Sequence, residues 1–181
     1  MSGTSLPIEE IRGEFLEALK GASPRILLKA PTGSGKSTGI PPMMDDAGLG
    51  ENGLIVVVQP RRMAARLLAR HVARLRGSEL GREVGYMVRF ERHISSRTRI
   101  AYVTDGVLER WLTDRPCLEG VSAVVFDEFH ERSLSGDLSL GRVLDLQEGP
   151  RPDLAVVVMS ATLEMSGLRE YMGESCRELE A

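Results

Sequence analysis

A glycine-containing loop between an apolar run and a helical pattern carries the residue types that bind phosphate. Residues 27–38 read LLKAPTGSGKST, so the loop follows directly on the apolar run. Backbone amides of such a loop can turn inward around phosphate oxygens, and the start of the next helix adds partial positive charge. Lys36 is placed to reach the β- and γ-phosphates, and Ser37 to ligate Mg²⁺. Ala30 stands at the first position of the usual G-x-x-x-x-G-K-[ST] pattern. The residues predicted to hold the nucleotide are Thr32, Gly33, Ser34, Gly35, Lys36, Ser37 and Thr38.

A second segment places two carboxylates and an imidazole at the end of another apolar run. Val124, Val125 and Phe126 precede Asp127, Glu128 and His130. A phosphate-loop enzyme needs an acidic residue at the tip of a neighbouring strand to hold the Mg²⁺ shell, and Asp127 suits that role. Hydrolysis also needs a group that orients and deprotonates water, and Glu128 suits it. His130 can be a packing residue, but its place beside the acidic pair favours a role in coupling.

These residues need a scaffold that brings strand ends together, and the hydrophobic pattern predicts one. Apolar runs without alternation indicate strands that are buried on both faces, which is typical of a parallel sheet covered by helices. The predicted strands are 26–28, 54–58, 84–90, 98–103, 124–126 and 154–159. The predicted helices are 5–20, 36–47, 61–76, 105–113, 133–147 and 164–172, of which the first is a leading helix within residues 1–21. We therefore predict an α/β fold, a mainly parallel central sheet with helices on both faces, as one domain over 1–181.

Charge is distributed unevenly along the chain. Residues 61–99 hold eleven arginines against three glutamates, a net charge of +8, whereas the whole chain carries −3. A local basic block in a mildly acidic protein fits selective contact with phosphates. The alternative is a solvated basic helix face.

Composition excludes several classes of protein. Hydrophobic residues make up 42% of the 181 residues, which excludes wholesale disorder. No apolar run approaches the length of a membrane span, so we expect no membrane partner. Cys117 and Cys176 lie far apart without a CxxC pattern, so a disulfide framework or cysteine-based zinc site is not expected. Together with the lack of a secretory signal at the start, this favours a cytoplasmic location.

Five segments together resemble one family. Residues 127–133, DEFHERS, resemble the DEAH-box signature of superfamily 2 helicases, with Phe129 where alanine is usual. The other matching segments are 59–65, QPRRMAA, for motif Ia; 85–91, GYMVRFE, for the strand that follows; 104–108, TDGVL, for motif Ib; and 160–162, SAT, for motif III. Their order and spacing cover nearly the whole chain. With the LLKAPTGSGKST segment, they are most similar to the bacterial HrpB-type ATP-dependent helicases.

The resemblance implies roles for further residues. Motifs Ia and Ib grip the backbone of a single strand in this family, so nucleic-acid contacts are expected at Arg61, Arg62, Thr104, Asp105 and Gly106. The alternatives are that Arg61 and Arg62 form salt bridges within the domain and that Thr104 is a helix cap. Motif III links the nucleotide to the strand grip, which implies coupling through His130, Ser160 and Thr162.

The resemblance also implies cofactors and partners. It describes the first RecA-like motor domain of a longer helicase that uses ATP and Mg²⁺ to move along single-stranded nucleic acid, RNA by family habit. Lys36, Glu128 and His130 are then the catalytic residues, and Ser37 and Asp127 surround the metal. The second RecA-like domain supplies an arginine finger, so this chain alone is expected to hydrolyse ATP poorly. An adenine-stacking arginine is expected among Arg66, Arg70 and Arg74.

Two other functions remain open from the residues. A small phosphate-loop kinase suits the length, but the Asp-Glu-Phe-His and Ser-Ala-Thr segments have no role in it. A nucleic-acid-binding scaffold with a vestigial phosphate loop is the non-catalytic alternative, although Lys36, Ser37, Asp127 and Glu128 are all present. A GTPase is disfavoured, because the only asparagine, Asn52, precedes Gly53 rather than the lysine of a guanine reader.

Overall fold

Eight strands form one sheet in the computed structural model, which describes residues 6–161 and 166–181. The strands are β1 Arg25–Lys29, β2 Leu54–Gln59, β3 Val84–Val88, β4 Glu91–His93, β5 Ile100–Thr104, β6 Val121–Phe126, β7 Ala155–Ser160 and β8 Arg177–Glu180. Their order across the sheet is β4-β3-β5-β2-β6-β7-β1-β8. Neighbours run parallel except β3 and β4, which form an antiparallel pair. The mainly parallel sheet is confirmed.

Helices cover both faces of the sheet. They are α1 Pro7–Glu10, α2 Arg12–Leu19, α3 Lys36–Asp46, α4 Leu49–Asn52, α5 Arg62–Leu75, α6 Asp105–Asp114, α7 Leu134–Glu148 and α8 Ser166–Met172, with a 3₁₀ turn at Phe129–Glu131. One apolar cluster packs the sheet against α1, α2, α3 and α5. The other packs it against α6, α7 and α8. Two buried faces explain why the strand sequences are continuously apolar, and β6 and β7 are buried at every position.

The parallel register brings the functional segments to one edge. Lys29 lies beside Ser160, Gln59 beside Thr104, and Phe126 beside Val158. Parallel strands end on the same side, so the residues that follow β1, β2, β5, β6 and β7 share one rim. The phosphate loop, the basic segment, the acidic pair and Ser160 therefore lie along one rim, although Ala30 and Ser160 are 130 positions apart in the sequence.

Some local predictions were wrong in detail. The leading helix is broken at Ile11 into α1 and α2, and its first predicted residue, Ser5, lies outside the described residues. The strand predicted over 84–90 ends at Val88, because Phe90 adopts a positive φ of 67° and turns the chain into β4. The short elements α4, β4, β8 and the 3₁₀ turn were not predicted.

One sheet runs through the described residues, and the assignment of all of 1–181 to a single domain stays a prediction. Over 6–161 and 166–181, no helix is long and apolar enough to span a membrane.

Candidate functional site

The loop between β1 and α3 forms a cradle of backbone amides. Gly33 and Gly35 have φ values of 83° and 88°, a left-handed conformation that glycine adopts without strain. A side chain at Gly35 would also meet Leu6 at 2.8 Å. Within the part of the chain that the structure describes, the amides of Gly33, Gly35, Lys36 and Ser37 have no acceptor. Unpaired amides at a helix start are the donors that phosphate oxygens need, so the loop fits a nucleotide.

Lys36 connects this loop to the acidic strand end. Its side chain is only 3% exposed, and its Nζ lies 2.9 Å from Oε1 of Glu128. Glu128 follows β6 with φ 49° and ψ 37°, a conformation that is uncommon for residues other than glycine. This backbone conformation points the carboxylate back towards the loop. Backbone strain of this kind is often retained where function requires it.

His130 extends this connection to the end of β7. Its Nδ1 accepts a hydrogen bond from the backbone N–H of Ala161 at 3.3 Å. A neutral ring must then carry its proton on Nε2, which lies 3.2 Å from Oε2 of Glu128. A continuous path therefore runs from Ala161 through His130 and Glu128 to Lys36.

Asp127 lies beside this path and is almost fully buried. Its carboxylate accepts hydrogen bonds from the side chain of Gln59, from the backbone N–H of Glu128 at 2.9 Å and from the hydroxyl of Ser37. Burial raises the pKa of Asp127 above its usual value, and the hydrogen bonds from Ser37 and Gln59 only partly oppose this effect. A cation would compensate the buried charge.

The donor set fits Mg²⁺ rather than a metal held by the protein alone. The Ser37 hydroxyl and the Asp127 carboxylate are oxygen ligands in mutual contact. No cluster of three or more His, Cys, Asp or Glu side chains that could hold a metal occurs among the described residues. Mg²⁺ typically takes one or two protein ligands and completes its shell with phosphate oxygens and water, which matches this pair.

Tyr102 contacts the start of α3, and no sequence pattern identified it as a residue of the site. Its side chain is fully buried, and its hydroxyl donates to the backbone carbonyl of Ser37 at 2.8 Å. In a regular helix the amide four residues later would donate to this carbonyl, but that residue is Pro41, which has no N–H. Burial holds the pKa of Tyr102 well above its usual value, so the hydroxyl remains a donor. A proline four residues after Ser37 was the available signal.

A groove of about 490 Å³ opens beside α6. It is lined by Pro60, Arg62, Met87, Val88, Arg89, Phe90, Thr104, Asp105, Gly106, Val107 and Arg110. Arg62 has no ion-pair partner among the described residues. Thr104 occupies the N-cap position of α6, but its side chain makes no capping hydrogen bond. The groove therefore presents a cation, a hydroxyl and a helix start to an anionic chain.

Two of the residues that were predicted to contact the strand also make contacts inside the domain. Arg61 pairs with Glu131 at 3.0 Å, so the salt-bridge alternative holds for Arg61. The Asp105 carboxylate accepts a hydrogen bond from the Ser133 hydroxyl at 2.9 Å.

The remaining predicted residues lie as follows. Ser160 is buried at the end of β7, and Thr162 lies outside the described residues. Of the candidate adenine-stacking arginines, Arg66 pairs with Glu91, whereas Arg70 and Arg74 are exposed. The assignment of roles to these residues stays a prediction.

Comparison with known proteins places these features in context. The family described as "DEAD/DEAH box helicase" matches residues 10–171. The chain is 45% identical over 172 residues to the ATP-dependent RNA helicase HrpB of Escherichia coli K12, a match that covers 95% of this chain and 21% of that protein. It is 42% identical to the probable ATP-dependent RNA helicase DHR2 of Saccharomyces cerevisiae, over 94% of this chain and 23% of that protein.

Solved structures agree with the sequence matches. The crystal structure of the E. coli DExH-box NTPase HrpB superposes with a TM-score of 0.92 at 42% identity. The superposition covers the whole of this chain and 22% of that one. The chain thus spans about a fifth of the length of the relatives that it matches.

Proposed function

The chain belongs to the DEAD/DEAH box helicase family, and we propose that it is the ATP-binding first RecA-like motor domain of an ATP-dependent RNA helicase. One observation carries this proposal: the path from Lys36 through Glu128 and His130 to Ala161 joins the phosphate loop to the rim of the sheet. A self-contained kinase is set aside, because the matched family and the relatives named above are helicases.

Lys36 and the loop amides bind the phosphates of ATP in this proposal. The four unpaired amides face the β- and γ-phosphates, and Lys36 contributes its charge. Ser37 and Asp127 would hold Mg²⁺, which would supply positive charge to the phosphate oxygens. Tyr102 keeps Ser37 in place through its hydrogen bond to the carbonyl.

Glu128 acts as the general base once Lys36 turns to the phosphates. Lys36 and Glu128 form an ion pair at 2.9 Å. Phosphate binding draws Lys36 away and leaves the Glu128 carboxylate available to accept a proton from water. His130 Nε2 lies 3.2 Å from the same carboxylate and limits its movement. Because His130 also accepts from Ala161, a shift of the β7 end is transmitted to Glu128.

The groove beside α6 is the proposed binding site for a single strand. Arg62, the Thr104 hydroxyl and the amides at the start of α6 suit phosphate oxygens, which carry no base identity. RNA as the substrate is supported by the names of the relatives, since phosphate contacts alone also fit DNA.

Further parts of the proposal concern the surroundings of the domain. A second RecA-like domain in the same longer protein completes the ATP site, so this chain alone turns ATP over poorly. Residence in a reducing bacterial cytoplasm is supported by the unpaired Cys117 and Cys176.

Replacement of Arg62 tests the strand site. We expect Arg62→Ala to weaken binding of a labelled single-stranded RNA uniformly across sequences and to reduce the salt slope of binding by about 1. The matched control is Arg97→Ala. Arg97 is an exposed arginine of the same basic block, but it lies near the amino ends of the parallel strands, opposite the rim that holds the site. Equal loss of affinity in both variants would reduce strand binding to general attraction by the basic block.

A further inference from the structure

Ser133 makes two hydrogen bonds through one hydroxyl group. As the N-cap residue of α7, its Oγ accepts from the backbone N–H of Gly136 at 2.9 Å. The same Oγ donates to Oδ2 of Asp105 at 2.9 Å. A Cβ at Gly136 would approach the Ser133 Oγ to 2.8 Å, so the glycine leaves room for this arrangement. The bond joins the start of α7 to the start of α6.

The position of Asp105 makes this bond relevant to the groove. Asp105 is the first residue of α6 and lines the groove together with Thr104 and Gly106. Burial raises the pKa of Asp105, whereas the hydrogen bond from Ser133 lowers it. A carboxylate repels a phosphate, so this side chain does not suit direct contact with a strand. Its hydrogen bond to Ser133 instead sets where the amides at the start of α6 point.

Ser133 belongs to the same short segment as the nucleotide-site residues. It lies five positions after Glu128, with the 3₁₀ turn between them. A small cavity of about 20 Å³ has Asp105, Asp127, Glu128 and Ser133 among its lining residues. The segment that follows β6 therefore runs from the nucleotide-site carboxylates to the residue that bonds the start of α6.

We propose that Ser133 is a positioning residue that holds the start of α6, and with it the strand-binding groove, through its hydrogen bond to Asp105. This inference rests on the proposed function of the groove. Asp105 then holds the groove in shape without contacting the strand, and Arg62, Thr104 and the backbone of Gly106 contact the phosphates.

The same two helices provide a matched control. One turn further along α6, Oε2 of Glu109 accepts a hydrogen bond from the Ser135 hydroxyl at 2.7 Å. This second bond also joins α7 to α6, but it is exposed and touches neither the groove nor the small cavity. Ser135→Ala therefore tests whether the loss of any hydrogen bond between α6 and α7 is enough to weaken strand binding.

The experiment measures two affinities for each variant of the 181-residue chain. Anisotropy of a fluorescent oligouridine gives the dissociation constant for the strand, and a fluorescent ATP analogue with Mg²⁺ gives that for the nucleotide. Ser133→Ala removes both the link and the cap. Ser133→Gly removes the link but keeps a favourable N-cap, since glycine at this position costs a helix only a few tenths of a kcal/mol. Ser133→Thr retains both functions.

We expect Ser133→Ala and Ser133→Gly to weaken oligouridine binding by about five- to tenfold, in line with the loss of one ordinary intramolecular hydrogen bond. Nucleotide affinity should change by less than about twofold, and Ser133→Thr and Ser135→Ala should match the unmutated chain in both assays. A role in helix capping alone predicts loss in Ser133→Ala and none in Ser133→Gly, which would overturn the inference. Equal strand affinity in all variants would overturn it too. If the unmutated chain binds nucleotide but no strand, the proposed function of the groove fails and the inference falls with it.

Discussion

Replacement of Glu128 by glutamine should tighten ATP binding and lower turnover. Lys36 is 3% exposed and pairs with Glu128 at 2.9 Å, so phosphate groups that bind Lys36 compete with this carboxylate. An exposed ion pair contributes up to about 1 kcal/mol, and a hydrogen bond to a charged group about 1.5–3 kcal/mol. Glu128 is 23% exposed, which places the pair between these cases at about 1–2 kcal/mol.

This energy converts directly into affinity. Since 1.4 kcal/mol corresponds to a factor of ten, Glu128→Gln should bind MgATP about 5- to 30-fold more tightly. Loss of the general base should lower turnover by about 10²- to 10⁴-fold. The nucleotide-free variant should also melt lower by about 2–8 °C, because the buried Lys36 ammonium loses its charged partner.

The assay is a titration with a fluorescent ATP analogue, beside calorimetric melting with and without nucleotide. Glu131→Gln is the matched control, because it removes a carboxylate of the same turn that pairs with Arg61 instead of Lys36. Its nucleotide affinity should stay within about twofold of the unmutated chain. Unchanged or weaker ATP binding by Glu128→Gln would refute the competition between phosphate and Glu128 for Lys36.

Three further substitutions test the parts around this pair. Burial raises the pKa of Asp127 above its unfolded value, so ionisation of its carboxyl costs stability that grows as pH rises through the raised pKa. Asp127→Asn should therefore melt higher than the unmutated chain at neutral pH, by a margin that shrinks towards about pH 4. The variant should also lose Mg²⁺-dependent ATP binding. A margin that is constant with pH would contradict this. Tyr102→Phe leaves the Ser37 carbonyl without a donor, so calorimetry should show melting about 2–6 °C lower and titration should show weaker MgATP binding; unchanged values in both assays would exclude a supporting role. Phe129 is 7% exposed and packs edge-on against Phe126 at 5.9 Å, so Phe129→Ala should leave a cavity and lower the melting temperature by roughly 10 °C; a shift under about 3 °C would show that its neighbours close the space.

The main elements of the fold follow from patterns that local sequence carries. Runs such as 54–58 and 154–159 are apolar without alternation, and strands buried on both faces occur there as β2 and β7. The edges of the sheet lack this signal. Residues 91–93 and 177–180 are largely polar and exposed, so their pairing as β4 and β8 depends on neighbours that are distant in sequence.

Residue spacing was sufficient to identify the site segments but not the contacts between them. The glycine loop and the acidic pair are continuous motifs, so they can be read without a structure. The bonds from Arg61 to Glu131 and from Asp105 to Ser133 join residues 70 and 28 positions apart. Tyr102 carries no motif at all, and its role follows only from the missing amide of Pro41. Such long-range pairs depend on the packing of helices whose relative placement no local pattern specifies.

We propose that this chain forms half of a motor whose ATP site a second domain completes. The most direct test is steady-state ATP turnover, with and without single-stranded RNA, of this chain beside a longer protein that joins it to a second RecA-like domain. We expect this chain to bind MgATP but to turn it over slowly, both with and without RNA. We expect the longer protein to turn ATP over faster and to be stimulated by RNA. Equally fast turnover by this chain alone would show a complete active site and contradict the account.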